Sequence, residues 1–226
     1  YEDAMTTTSW HLAHTLLSPA LNLGLLLPHE VADAIETAYR SGAVDIASAE
    51  GLMRQVIGWR EFVRCIYEIE GPTYLDRNAL DADRPLPPVF TNATTDMACV
   101  ANVLGDVDTY GWTHHIPRLM VLGNLALLAG VQPRALMDWM WERFVDGAEW
   151  VMAPNVIGMA PYADGGVMAS KPYVATGKYI QRMSNYCAGC RFDPAKATGE
   201  DACPFTTLNW DFLLRHERRL DRKSVV

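Results

Sequence analysis

The chain has 226 residues, half of them hydrophobic and a fifth charged, enough for one large domain or two small ones around a substantial core. A formal net charge of −8 excludes chain-wide attraction to nucleic acid, so a DNA partner needs a local basic patch. The longest apolar run, Leu119 to Val131, is interrupted by Asn124 and too short to span a bilayer, which excludes a transmembrane helix and predicts a buried one. An odd count of five cysteines, with no signal peptide, points to a reducing cytoplasm rather than a disulfide scaffold. The start at Tyr1 without Met, and the basic tail from Arg215 to Lys223, suggest a piece of a longer protein.

In chain order, Ser18-Pro19 predicts a helix start with Ser18 as its cap, and Pro28 opens a second helix ending near Gly42. Leu52, Val56, Trp59, Val63 and Ile66 follow the rhythm of one buried helical face, ended by Gly71-Pro72. Residues 71–93, with four prolines, read as loop. Thr95 or Asp96 is expected to cap a helix carrying Met97, Cys99, Val100 and Leu104, weakened or broken at Gly105 and Gly111. A long apolar helix is expected from His114 to Leu128, closed by Gly130, and another from Pro133 to about Val145. Residues 151–170, rich in Gly, Pro and Ala without a period, read as a structured loop at a site. Lys178–Tyr186 and Thr207–Leu220 are the last two expected helices. No segment alternates with period two, so the fold class is all-α: one helical domain over residues 1–226 with a cysteine-bearing C-terminal segment.

That segment carries Cys187-x2-Cys190-x12-Cys203-Pro204. A two-residue gap lets one turn aim two sulfurs at one metal centre. A fourth thiolate would come from Cys65 or Cys99, and the occupant is an iron–sulfur cluster or zinc; unligated core thiols are the plain alternative.

Trp59-Arg60-Glu61-Phe62, His114-His115, Asp146-Gly147, Met168-Ala169-Ser170-Lys171-Pro172-Tyr173 and the cysteines occur together in this order. In this the chain resembles the catalytic domain of prokaryotic iron–sulfur photolyase/cryptochrome proteins, which include the bacterial (6–4) photolyases. The resemblance implies a helical FAD-binding bundle, an N-terminal α/β antenna domain outside this chain, and a 4Fe–4S cluster on Cys99, Cys187, Cys190 and Cys203, with Cys65 a core thiol. It also implies that FAD is held by Tyr1, Thr15, Leu17, Ser18, Gln55, Trp59 and Arg60, with Arg118 and Asp146 flanking the isoalloxazine ring and Trp139 in an electron-transfer chain. His115 is the implied proton donor to the lesion, His114 its neighbour, and Tyr173 lines the lesion pocket. Lys171, Lys178, Arg182 and Arg191 are candidates for the phosphate patch.

Each residue also has a plainer reading: a helix cap for Ser18, a core histidine for His115, a core ring for Trp139, solvated charges for the cations. Three positions depart from the family pattern. Thr91 and Met140 stand where relatives often carry oxidisable Trp and Tyr, and Met152 where they carry Glu. The function implied is light-driven repair of (6–4) lesions in DNA by electron transfer from reduced FAD, in a cytoplasmic prokaryotic monomer. The alternative is a cryptochrome-like blue-light photoreceptor that keeps both cofactors and repairs nothing.

Overall fold

The structure, a computed structural model, describes residues 3–219. Tyr1, named above as a flavin contact, lies outside the described residues. Among the described residues eleven α-helices follow one another: α1 (Ser18–Asn22), α2 (Pro28–Arg40), α3 (Ile46–Met53), α4 (Arg60–Glu70), α5 (Val89–Asn92), α6 (Ala98–Tyr110), α7 (Asn124–Ala129), α8 (Pro133–Arg143), α9 (Glu149–Ala153), α10 (Gly177–Met183) and α11 (Pro204–Arg215). Backbone pairing outside helices is confined, among the described residues, to isolated bridges such as Met5 with Ser184. The all-α reading holds.

Three π-helical turns extend these rods. Arg54–Trp59 joins α3 to α4, Pro117–Gly123 runs into α7, and Pro154–Met159 continues α9. A π-turn inserts a residue into the ladder and re-aims the side chains that follow, which is why such turns concentrate at functional sites. Arg60 directly follows the first and Arg118 lies within the second.

The helix through Pro117–Gly123 and α7 is the buried axis, with nearly every residue from Ile116 to Leu128 withdrawn from solvent. Asn124 interrupts its apolar run for a structural reason. Its amide donates to Ala175 O at 2.9 Å and accepts from Ala175 N at 3.2 Å, pairing the helix with an extended segment. A Cβ at Gly123 would fall 2.8 Å from Ala160 Cβ, so glycine lets this axis cross the α9 rod at close range. A smaller cluster of Leu21, Val31 and Val56 seals α1 and α2 onto the Arg54–Trp59 turn.

Several expectations need correction. Residues 151–170 do not form one loop, because α9 and its π-turn occupy Glu149–Met159. Pro154 sits at the first position of that turn, where a missing N–H is tolerated. Gly105 does not interrupt α6, which ends at Gly111 in the left-handed conformation, φ 60°. Met97, not Thr95 or Asp96, is its N-cap; Thr95 Oγ1 accepts from Met97 N instead. Ser18 is the first residue of α1 rather than its cap. The proline-rich stretch holds a 3₁₀ turn, Pro72–Asp76, as well as α5.

Candidate functional site

Arg118 and Asp146 form a bidentate pair, with Nη1 to Oδ1 at 2.8 Å and Nη2 to Oδ2 at 3.0 Å. Their side chains are 16% and 9% exposed, so the pair is largely desolvated. Arg118 Nε donates to Thr113 O at 2.6 Å, and the guanidinium lies 4.0 Å from the Phe144 ring centre. Asp146 is also held from α1: Ser18 Oγ donates to its Oδ2 at 2.8 Å, and Asn22 Nδ2 donates to its carbonyl oxygen at 2.9 Å. Asn22 Oδ1 accepts from Arg60 Nη1 at 3.1 Å, Arg60 Nη2 reaches Leu21 O at 3.2 Å, and Arg60 stands 4.6 Å over the Trp150 ring. One polar network thus joins Ser18, Arg60, Arg118 and Asp146, four residues singled out from the sequence. Asn22, which links them, was not; lying one helical turn after Ser18 is its only sequence signal.

Two buried atoms beside this network, Thr113 Oγ1 and His114 Nδ1, have no hydrogen-bond partner among the described residues. A buried unsatisfied polar atom costs about 1–3 kcal/mol, so each of these two is a position that a water or a polar ligand would satisfy. A buried cation with donors and acceptors around it is of the chemistry that would suit the polar edge of a flavin.

The other expected flavin contacts are scattered. Leu17 occupies the N-cap position of α1 and packs on the smaller cluster. Thr15 and Gln55 are exposed and take no part in the network. Trp59 is half-buried, its ring 5.5 Å from Phe62. Trp139 is buried, donates from Nε1 to Phe90 O at 2.9 Å, and lies edge-on to Phe90 and Phe144.

His114 is buried and stacked on His14 at 4.2 Å with 14° between the rings. Burial, then His14, His115 and Arg118, push its imidazole down to about 3. His115, the next residue, keeps solvent exposure. Crowding by protein atoms and then the Arg118 charge hold it below the usual histidine range. Its open edge lets water hydrate the cation and moderates that lowering.

Tyr173 is 37% exposed on a segment tethered from both sides. Asn124 grips Ala175 on one side. On the other, buried Asp164 accepts from Tyr74 Oη at 2.7 Å and from the backbone N–H groups of Gly166, Val167 and Met168 at 2.9, 3.2 and 2.9 Å. Lys178 and Arg182 are exposed and Lys171 half-buried, whereas Arg191 is engaged in an ion pair with Asp96 at 2.7 Å.

Cys99 from α6, Cys187 and Cys190 from the turn after α10, and Cys203 at the head of α11 line one cavity with Tyr186, Phe192 and Phe205. Among the described residues no three His, Cys, Asp or Glu side chains stand in an arrangement that would hold a single metal ion. Gly177 supplies part of the cavity wall: a Cβ there would meet Cys203 Sγ at 2.6 Å. Burial, then the neighbouring thiols, raise Cys99 to about 12 and Cys187 to about 11, so thiolates here need a cationic partner. Four thiols lining one cavity are the donor type that a thiolate-held metal group takes. Cys65 is exposed and outside the cavity, which corrects its reading as a core thiol.

No protein-family model matches the chain. It is 47% identical over 219 residues, 97% of its length, to a (6-4) photolyase of Agrobacterium fabrum, and spans 43% of that protein. Two uncharacterized proteins of Acanthamoeba polyphaga mimivirus are 35% identical over 66 residues and 38% identical over 68, which cover 29% and 30% of the chain and 54% and 52% of those proteins. Among the described residues no helix is long and apolar enough to cross a membrane.

Proposed function

Over the 219 aligned residues the chain belongs to the bacterial (6-4) photolyase-like family, and we propose that it serves light-driven repair of (6–4) lesions in DNA. The observation that carries the proposal is the Ser18–Asp146–Arg118 network, with Arg60 joined through Asn22, beside the two unsatisfied atoms of Thr113 and His114. These residues would hold FAD, which when bound and reduced supplies the electron that blue light delivers to the lesion. The buried Arg118 charge favours an electron-rich ring beside it, and Asp146 fixes the guanidinium in place.

Cys99, Cys187, Cys190 and Cys203 would hold a 4Fe–4S cluster, which ties α6 to the start of α11. The Arg191–Asp96 pair joins the residue after Cys190 to the approach of α6 from outside. Lys171, Lys178 and Arg182 would meet the phosphates of damaged DNA, and Tyr173 would offer its ring to an extruded base. The protein works as a monomer on this reading.

His115 would deliver the proton that makes electron injection productive. In the free protein crowding by protein atoms, and then the Arg118 charge, keep its imidazole low. Anionic DNA beside it would raise its proton affinity, so the donor is charged when substrate arrives. The test compares His115→Ala with the parent, both carrying reduced flavin, on a (6–4) oligonucleotide under blue light. Repair is expected to vanish while flavin content and lesion affinity persist. A variant that repairs normally would make His115 a bystander, and a parent that binds flavin yet never repairs would favour the photoreceptor reading.

A further inference from the structure

Trp139 touches Phe90 and Phe144, the next residue is the buried Met140, and Thr91 is exposed. None of Phe, Met and Thr passes an electron as readily as Trp or Tyr.

A different row of rings runs from the surface to the polar network. Tyr110, the last residue of α6, is 44% exposed. Trp10 stacks on it with ring centres 4.3 Å apart and 15° between planes. Trp112 meets Trp10 edge-on at 5.5 Å and is 6% exposed. Its Nε1 donates to Ser18 Oγ at 3.4 Å, the hydroxyl that in turn donates to Asp146, and Arg118 stands 5.6 Å from its ring. Gly111, in the left-handed conformation, reverses the chain between Tyr110 and Trp112, so one neighbour faces solvent while the other faces the core.

We propose that Tyr110, Trp10 and Trp112 form an electron relay from solvent to the Arg118–Asp146 site, bypassing Trp139 and drawing on a thiol reductant. It rests on the flavin reading above. With an oxidised flavin held at that site and excited by blue light, Trp112 would give up one electron towards it, Trp10 would refill Trp112, and Tyr110 would refill Trp10 while its phenolic proton leaves to water. A thiol then returns an electron and a proton to Tyr110, and two thiols oxidised in this way couple to a disulfide.

The natural protein, isolated with its flavin and kept anaerobic with excess thiol, is illuminated while the loss of oxidised-flavin absorbance is timed. Trp10→Phe keeps a packed ring and is expected to slow photoreduction by about tenfold or more, with Trp10→Tyr restoring part of the rate. Tyr110→Phe should slow it as well and remove a tyrosyl transient from the flash spectrum. Trp139→Phe should stay within about twofold of the parent. Flavin content, and repair after chemical reduction, should be unchanged in the Trp10 and Tyr110 variants. A parent that photoreduces equally well with Trp10→Phe and Tyr110→Phe overturns the relay and leaves the flavin reading intact. A parent isolated without flavin overturns both.

Discussion

Asp146→Asn isolates the interaction on which the site depends. The substitution keeps size and shape but removes the charge that neutralises Arg118, whose guanidinium has little access to water. Removing one partner of a buried pair costs about 3–5 kcal/mol, because the other charge stays behind uncompensated. Two features favour the lower end of that range. Arg118 keeps its bond to Thr113 O and its place on Phe144, and an asparagine oxygen can still accept from Ser18 or Arg118. At about 3 kcal/mol, and about 2–4 °C per kcal/mol for a chain of this size, the melting temperature should fall by about 6–12 °C. Thermal unfolding followed by far-ultraviolet circular dichroism reads this directly, and flavin retained per chain after gel filtration should drop in parallel. Adding Arg118→Met to Asp146→Asn should restore part of the loss, since the stranded charge is gone. A single variant melting with the parent and holding its flavin would refute the reasoning.

Three further outcomes follow from particular contacts. Gly177→Ala places a methyl group 2.6 Å from Cys203 Sγ and 3.1 Å from Pro194 Cβ, so iron per chain should fall as it does on changing any of the four cavity cysteines to serine, while Cys65→Ser keeps its iron. Gly158→Ala drives a Cβ to 2.4 Å from both Met168 Cβ and Tyr74 Oη, overpacking that should cost about 1–3 kcal/mol in urea unfolding. His114 governs part of the acid limb. Its folded pKa, near 3, lies below the ordinary 6.5 of the unfolded chain, so the unfolded state holds more protons in between and stability falls as pH drops through that window. Between pH 7 and 5 the loss from this group is about 2 kcal/mol, and His114→Phe should flatten that part of the profile.

The helical period was legible wherever one face is buried. Val56 and Val63 lie buried in the face read from the sequence, even though a π-turn runs through its middle. The rod at Glu149–Met159 was not legible, because Pro154, Gly158 and small apolar residues on all sides erase the period when a helix is buried all round. Ser18 shows the limit of local rules. A serine before proline reads as a cap, but its hydroxyl bonds a carboxylate 128 residues away. Asn124 was visible as a polar break in an apolar run, and only the fold shows it pairing with Ala175. The cysteine spacing identified three cavity cysteines, while choosing Cys99 over Cys65 took the family resemblance. In the structure Cys99, not Cys65, lines the cavity with the other three.

The most direct test of the central claim is repair itself. The natural protein with chemically reduced flavin is mixed with an oligonucleotide carrying one (6–4) lesion, and restored bases are counted by chromatography after blue light and after darkness. Light-dependent return of the lesion to two intact pyrimidines, absent in the dark, is the predicted result. Tight lesion binding and full flavin with no restored bases after illumination would contradict the account.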